Sequence, residues 1–310
     1  MIDRINRRQF LKTGSRALSA GALATAAVAS VRTLRADANA GGKMKKAVKF
    51  GMVRTDQTIL EKFQLLKELG FDGVEMDSPS SLDRDEVVGA RDATGLTIHG
   101  VVDSVHWRQT LSDASPDVRE QGLEGLMTAL RDAHRYGATT VLLVPAVVNK
   151  DVSYAEAYER SQAEIRRALP LAEELGVKIA LENVWNQFLL SPLEFAQYID
   201  DFKSPWIGAY FDVGNVVTYG WPEHWIRTLN KRILKLDIKE FSRQRRNEEG
   251  LYKGFDVEIG EGDCDWPAVR EALAEIGYSG WATAEVRGGG PERLREIAER
   301  MDRVLALERC

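Results

Sequence analysis

The stretch VKIALENVW, Val177–Trp185, is an apolar strand that runs directly into a carboxylate at Glu182. Three later stretches end in the same way: IGAYFD at Asp212, ILKLD at Asp237 and WATAE at Glu285. One such charge is often only a solvated strand end, but here four successive strands each deliver one. Carboxylates gathered at one place repel each other unless a cation or shared protons hold them together, and hard divalent cations take oxygen ligands. The pattern therefore indicates a metal enzyme.

The chain around these strands repeats one unit, an amphipathic helix followed by a glycine and then an apolar strand. Each glycine falls where a helix end favours a left-handed residue. Three further strands, AVKFGMV, IGAYFD and ILKLDIK, bring the total to eight. Strict alternation of strands and helices predicts parallel strands with right-handed crossovers. Eight units over residues 46–308 favour a single-domain α/β (β/α)8 TIM barrel, for which ~250 residues is typical; a doubly wound sheet is the alternative. The repeated glycines are Gly70, Gly95, Gly137, Gly176 and Gly277.

The barrel gives the four carboxylates a common location. Side chains alternate along a strand, so in ILKLDIK we expect Lys235, Asp237 and Lys239 to face the barrel axis while Leu236 and Ile238 face the helices. The C-terminal ends of the strands form the active-site mouth of this fold. Neighbouring strands five to eight could then share one ion.

Residues 1–40 have the composition of a targeting segment. Arg7-Arg8 precedes Phe-Leu-Lys and a mildly apolar run, and the small residues near Ala38–Ala40 resemble a cleavage site. The arginine pair resembles a twin-arginine export signal, which predicts a periplasmic or exported protein whose metal is loaded before export. The alternative is an amphipathic or anchoring helix, but the apolar run Ala17–Val31 is shorter than the ~20 residues of a stable membrane span.

Composition limits the class of partner. The net charge is −5 and no long basic run is present, which argues against nucleic acid as the partner and favours a small-molecule substrate. The two cysteines, Cys264 and Cys310, are too few for a disulfide framework. Homo-oligomerisation is possible and is left open.

Five motifs occur in a fixed order: LENVW, FDVGN, LDIKEF, GEGDCDW and ATAEV. With this order, residues 46–308 resemble the xylose isomerase-like sugar isomerase/epimerase family, in particular its ketose 3-epimerase and hydroxypyruvate isomerase-like members. The resemblance implies that Glu182, Asp212, the strand-seven position and Glu285 hold one Mn²⁺, or Mg²⁺ or Co²⁺, per chain. It also implies that Glu182 and Glu285 are the catalytic groups that move the proton.

The chain departs from the family pattern at strand seven, where His-Leu-Lys-Asp is usual and this sequence reads Asp237-Ile238-Lys239-Glu240. A carboxylate in place of imidazole makes the ligand set all-oxygen, which shifts preference toward Mn²⁺ or Mg²⁺ and away from Zn²⁺. Arg243 matches a family arginine that contacts substrate oxygens. Asn215 stands where several epimerases have histidine, so the outer substrate contacts differ.

Further candidate substrate contacts lie at predicted strand ends and in the following loops. Glu75 ends predicted strand two and His99 ends predicted strand three; the alternatives are a structural carboxylate and a satisfied histidine inside the barrel. Trp107 and Trp185 could each cover a face of a sugar, or could simply anchor their loops. With Asn215, these form the predicted substrate-binding set alongside the arginine above.

These residues support a metal-dependent sugar isomerase or epimerase that acts on a keto- or hydroxy-carbonyl sugar through an enediolate, with proton transfer between two glutamates. Two alternatives stay open: a dehydratase or lyase on a related keto-sugar or inosose, and a sugar-binding barrel without catalysis. Related DNA-repair endonucleases hold a trinuclear zinc site that needs many histidines. This chain has four, which argues against an endonuclease.

Overall fold

The computed structural model describes residues 44–307, and the predicted targeting segment therefore lies outside the described residues. Eight parallel strands close into a barrel in the order β1 to β8, each hydrogen-bonded to its neighbours in sequence and β8 to β1. The predicted (β/α)8 barrel is confirmed. The strands are β1 Lys45–Lys49, β2 Gly73–Ser78, β3 Thr97–Asp103, β4 Thr140–Leu143, β5 Lys178–Glu182, β6 Ile207–Asp212, β7 Ile233–Ile238 and β8 Trp281–Ala284.

Helices follow the strands and form the outer layer, where their apolar faces and the outward faces of the strands build one large hydrophobic core. Within residues 44–307, none of these helices has the combination of length and apolarity needed to cross a bilayer. The helices are α1 Ile59–Glu68, α2 Arg84–Thr94, α3 Pro116–Tyr136, α4 Tyr154–Leu175, α5 Pro192–Asp200, α6 Pro222–Leu229, α7 Arg243–Glu249, α8 Trp266–Glu275 and α9 Pro291–Leu305.

The glycines of the repeated unit do what their spacing predicts. All five have φ between +61° and +79°, a region in which a side chain would be strained. Each ends a helix and lets the chain turn directly into the next strand.

Two strands continue beyond their predicted ends. β2 runs past Glu75 to Ser78, and β3 runs past His99 to Asp103, with Ser78 paired to Asp103. The strands can continue because Gly100, opposite Glu75, has no side chain, and a Cβ there would lie 2.6 Å from Glu75 Oε1. The prediction that Glu75 and His99 end their strands is therefore wrong, and both lie deeper in the barrel than expected.

The barrel interior is largely polar. Its separate apolar cluster is small, formed by Leu142, Ala180 and Tyr210, and buried charged residues occupy much of the remaining space. Burying charge is costly unless it is paired, so the interior has to be explained by its electrostatics.

The helix-ending glycines make a prediction about stability. Gly95→Ala should lower the free energy of unfolding by ~1 kcal/mol. Its φ of +66° is strained for alanine, and the added methyl group would make no packing contact to offset that strain. Gly89→Ala is the matched control in the same helix, also exposed and with open space around it; it should raise stability by ~0.5–1 kcal/mol. Urea unfolding of both variants measures the difference, and changes of the same sign would contradict this account of the turn.

Candidate active site

A cavity of about 1030 Å³ opens at the C-terminal ends of the strands, where this fold places its active sites. The loops after β3, β5, β7 and β8 form its walls. Charged side chains from several strands line its floor: Lys49, Asp77, Asp103, Glu182, Lys239 and Glu285.

The four carboxylates expected from the sequence come together at this mouth. Glu182, Asp212, Asp237 and Glu285 each offer one oxygen, and these oxygens all lie within 4.8 Å of one another. The register explains part of the arrangement, since Asp212 and Asp237 are direct partners across β6 and β7. Three of the four are buried, and the Glu285 side chain is 32% exposed toward the cavity. We call these four residues the carboxylate ring.

Two lysines partly neutralise the carboxylate ring. Lys49 Nζ lies 3.0 Å from Asp237 Oδ2, 3.3 Å from Glu285 Oε1 and 3.7 Å from a carboxylate of the layer below, Glu75 Oε2. Lys239 Nζ lies 2.9 Å from Asp212 Oδ2 and 2.7 Å from Glu285 Oε2. Four carboxylates therefore pair with two ammonium groups, and Glu182 forms no ion pair with either lysine.

Lys49 is one of the site residues that the sequence analysis missed. It is the last residue of β1, and its spacing of two residues puts it on the same face of the strand as Lys45 and Ala47. The same alternation that places Asp237 and Lys239 inside the barrel could have placed Lys49 there.

Oxygens of the carboxylate ring remain unsatisfied despite the lysines. Glu182 Oε1 and Asp237 Oδ1 are buried and have no hydrogen-bond partner within the described part of the chain. Buried polar atoms without partners are rare and call for a bound group. An all-oxygen set of this kind suits a hard divalent cation, so these residues fit the ion that the sequence predicts.

The pKa values of the two glutamates shift in opposite directions. Burial raises the pKa of Glu182 well above its usual range, and Glu285 raises it further. Burial alone would also raise the pKa of Glu285, but Lys239 and Lys49 together lower it to about 2. Burial raises the pKa of Asp212 to about 6 against the opposing effect of Lys239, and it raises the pKa of Asp237 well above its usual range. Two carboxylates with opposite shifts are suited to opposite steps of proton transfer.

The LENVW and FDVGN motifs interlock beneath the ring. The Asn183 side chain donates to the backbone carbonyl of Asp212 and accepts from its N–H, both at 2.9 Å. Asn215 donates its N–H to Asp212 Oδ1 at 2.8 Å and its side-chain amide to the carbonyl of Asn183 at 2.9 Å. Trp185 Nε1 donates to the Asn215 carbonyl at 2.8 Å. These contacts fix the positions of Glu182 and Asp212 relative to each other.

Glu240 ties β7 to the GEGDCDW loop. This buried carboxylate accepts from the N–H groups of Gly260 and Cys264 and from Trp266 Nε1, at 2.9, 3.0 and 2.8 Å. It therefore holds the loop that follows the ring residue Asp237.

Three predicted substrate contacts lie on the cavity wall. Trp107, Trp185 and Asn215 all line it. Trp107 is 51% exposed, while Trp185 packs against Phe241 and Phe255. Both indole rings are available to a ligand in the cavity, and their role in binding stays a prediction.

The other three predicted contacts do not belong to the cavity lining. Glu75 lies below the ring, and His99 accepts from Lys235 Nζ at 3.0 Å and stacks on Trp281. The placement of both residues favours structural roles. Arg243 donates to the carbonyls of Val217 and Gly220 at 2.9 and 2.8 Å. Its donors are thus engaged with the backbone, and a direct contact between Arg243 and substrate stays a prediction.

Two aspartates, rather than Glu75 and His99, lie near the C-terminal ends of β2 and β3. Asp77 in β2 and Asp103 in β3 both line the cavity. Asp103 accepts from the N–H of Val105 through Oδ1, whereas Oδ2 is buried without a partner among residues 44–307. Burial raises the pKa of Asp103 to about 7. Sequence reasoning missed both residues because it ended these strands too early.

Solved structures with the same fold include two sugar epimerases. The 3-keto-D-glucoside 4-epimerase YcjR from E. coli aligns with a TM-score of 0.71 and 18% identity, covering 85% of this chain and 100% of that protein. D-psicose 3-epimerase from Clostridium cellulolyticum H10 aligns with a TM-score of 0.69 and 20% identity, covering 86% and 100%. At these identities the likeness supports the shared fold.

Sequence similarity extends to a characterised enzyme class. L-ribulose-5-phosphate 3-epimerase UlaE from Escherichia coli O1:K1 is 30% identical over 239 residues, covering 71% of this chain and 79% of that protein. The family described as xylose isomerase-like TIM barrel matches residues 63–305. The chain therefore belongs to the xylose isomerase-like TIM barrel family, and its relatives include sugar epimerases.

Proposed function

We propose that this protein is a divalent-metal-dependent sugar epimerase or isomerase that transfers a proton between two glutamates. The observation that carries the proposal is the placement of Glu182 and Glu285 in one carboxylate ring, with both side chains lining the same cavity. The relatives named above support a sugar with a carbonyl group, since they include 3-epimerases of ribulose 5-phosphate and psicose.

The carboxylate ring would hold the cation, which supplies Lewis-acid polarisation of a carbonyl when it is bound. Glu182, Asp212, Asp237 and Glu285 are the residues with oxygens in place for it. The unpartnered Glu182 Oε1 and Asp237 Oδ1 are the oxygens most in need of a positive partner.

The charges around Glu285 assign its starting state. Lys49 and Lys239 keep Glu285 ionised, because both ammonium groups lie within 3.3 Å of its oxygens. Glu285 can therefore take the proton from the carbon next to the carbonyl, and the C–H electron pair becomes the double bond of an enediolate. Glu182, the other glutamate of the ring, would pass a solvent-derived proton to the opposite face, and Glu285 would release its proton to solvent.

The carbon that receives the proton decides the product. Return to the same carbon on the opposite face gives an epimer, whereas return to the neighbouring carbon gives an isomer. The names of the relatives favour epimerisation at C3. The cavity of about 1030 Å³ is large enough for a monosaccharide, and Trp107 and Trp185 would flank its apolar faces.

The substrate is proposed to be unphosphorylated. Two arginines line the cavity, and Arg293 is paired with Glu258 and Glu296, both at 2.7 Å. That leaves Arg287 as the arginine available to a phosphate, and phosphate sites normally combine several donors.

Dehydration is the second candidate. Asp103 lines the cavity, and its pKa of about 7 leaves a large protonated fraction at neutral pH. A protonated carboxyl group at that position could donate to a departing hydroxyl group after the same enediolate has formed.

Export through the twin-arginine pathway belongs to the proposal as well. It rests on the sequence Arg7-Arg8 with the apolar run and small residues that follow. Folding before export would allow the metal to be loaded in the cytoplasm.

A substrate screen tests the reaction class. The metal-supplemented protein is incubated in D₂O with ketopentoses, ketohexoses and the phosphorylated form of each, and NMR follows deuterium at carbon beside product formation. We expect wash-in with an epimeric or isomeric product from a free ketose. Loss of water would identify the dehydratase, and no exchange with any keto-sugar would contradict catalysis.

Glu182→Gln and Glu285→Gln should each reduce turnover by at least ~10²-fold with the barrel intact, because each glutamate is proposed to carry a proton. With one carrier left, a variant can still exchange a substrate proton with solvent without forming product. Product formation and deuterium wash-in are measured at saturating metal, with the exposed Glu68→Gln as control. Near wild-type turnover in either ring variant would contradict the two-glutamate mechanism.

Two substitutions, one in the carboxylate ring and one at a lysine beside it, should change metal affinity in opposite directions. Asp212→Asn removes one anionic oxygen and should weaken Mn²⁺ binding by more than ~10-fold. Lys49→Met removes the ammonium group 3.0 Å from Asp237 and should strengthen binding. Calorimetric titration with Mn²⁺ measures both, with about one ion per chain expected in the wild type. Equal affinity in the wild type and Asp212→Asn would exclude this shell.

Asp237→His should retain the metal and move its preference toward Co²⁺ or Zn²⁺, because imidazole replaces a hard carboxylate. Competition titrations of Mn²⁺ against each ion report the ranking. The same ranking before and after the substitution would show that Asp237 is not a ligand.

A further inference from the structure

A second cavity, of about 510 Å³, lies at the opposite end of the barrel from the carboxylate ring. It is bounded by residues at the N-terminal ends of β1, β4, β5, β7 and β8. Lys45, Thr140, Lys178, Lys235 and Trp281 contribute side chains to its wall.

Strand alternation explains why three lysines meet there. Lys178 lies four residues before Glu182 on β5, Lys235 lies two before Asp237 on β7, and Lys45 lies four before Lys49 on β1. Even spacing puts each lysine on the inward face of its strand. β5 and β7 therefore present a carboxylate at the C-terminal mouth and a lysine toward the N-terminal one, whereas β1 presents a lysine at each end.

The lysines of this cavity form no direct ion pairs with acidic side chains of the described chain. Among residues 44–307, no Asp or Glu belongs to the cavity lining, although the chain has 47 acidic residues against 42 lysines and arginines. Within residues 44–307, neither Lys45, Lys178 nor Lys235 has a carboxylate oxygen within 4.0 Å of its ammonium group. Clustered like charges are unfavourable unless an anion joins them.

Lys235 is fixed in place as a donor. It is only 2% exposed, and its ammonium group donates to Nδ1 and to the backbone carbonyl of His99. His99 in turn stacks on Trp281, with ring centroids 4.6 Å apart. Burial lowers the pKa of Lys235 to about 7, and Glu75, the carboxylate that opposes this shift, forms no direct ion pair with it in the described chain. A bound anion would compensate the buried ammonium group more fully.

Thr140 adds a second, uncharged donor. Its hydroxyl group is buried and has no hydrogen-bond partner in the described chain, although the residue lines the cavity. Thr140 is the direct register partner of Lys178 across β4 and β5. An unsatisfied hydroxyl group on the wall of a cavity lined by lysines can donate to an oxyanion.

We propose that the N-terminal cavity binds a small oxyanion, carrying a phosphate or carboxylate group, between Lys178, Lys235 and the hydroxyl group of Thr140. Lys45 lies at the exposed rim with its ammonium group 5.1 Å from the centre of a Trp281 ring, where it attracts the anion. This site is separate from the cavity of the proposed reaction, and it stands whether or not the chain is an epimerase.

Calorimetric titrations with inorganic phosphate and with malonate, at constant ionic strength, test the proposal and distinguish the two anion classes. We expect saturable binding of one anion per chain for at least one of them. Lys178→Met should weaken it about tenfold or more, because one charge-assisted hydrogen bond is lost, and Thr140→Val should weaken it about threefold. Lys178 is partly exposed, so its variant should fold; thermal unfolding checks this.

Two matched variants locate the binding. Lys150→Met removes an exposed lysine from a distant loop and should leave anion affinity unchanged. Arg287→Ala removes from the C-terminal cavity the arginine that is not held by an ion pair with Glu258 and Glu296, and it should also leave anion affinity unchanged. The proposal is overturned if neither anion binds saturably, or if affinity falls in Arg287→Ala while Lys178→Met retains wild-type binding.

Discussion

The structure depends on a charge imbalance at the C-terminal mouth. Five buried or partly buried carboxylates, the ring and Glu75, share two ammonium groups, and four of the five pair with Lys49 or Lys239. Burying ionised groups is unfavourable unless partners restore what water supplied. The lysines supply part of that compensation, and Glu182 Oε1 and Asp237 Oδ1 are left without partners. The proposed cation and the proposed division of work between the glutamates both follow from this imbalance.

The sequence predicted the features that depend on local rules. The helix-ending glycines, the eight strands and the shared location of Glu182, Asp212, Asp237 and Glu285 all follow from backbone conformation and alternation. A glycine with φ near +66° can end a helix without help from distant residues. Which side chains of a strand share a face follows from alternation within that strand.

The errors occurred where distant residues decide the outcome. β2 and β3 extend because Gly100 leaves room for the Glu75 carboxylate, a fit between two strands that neither segment shows alone. Asp77 and Asp103 take the strand-end positions that were assigned to Glu75 and His99. Lys49 was missed because its partners, Asp237 and Glu285, lie far away in sequence and become neighbours only when the barrel closes between β1 and β8. The backbone of the loop after β6 engages donors of Arg243, so the substrate contact that the resemblance implies for this residue stays a prediction.

The barrel is electrically polar along its axis. Its C-terminal mouth is rich in carboxylates and its N-terminal cavity is lined by lysines. Between them lies a layer of Glu75, Tyr210, Thr283 and His99, in which Thr283 contacts both Tyr210 and His99. A central layer of this kind separates the two ends, so that each can bind a partner of opposite charge.

Anomalous X-ray diffraction from crystals grown with Mn²⁺ tests the central claim most directly, because it shows where the cation binds and what Lys49 does in response. The account predicts one strong Mn²⁺ peak enclosed by the oxygens of Glu182, Asp212, Asp237 and Glu285, with the Lys49 ammonium group moved away from Asp237. A ring without Mn²⁺ at saturating concentration, with Lys49 still in contact with Asp237 and Glu285, would contradict it.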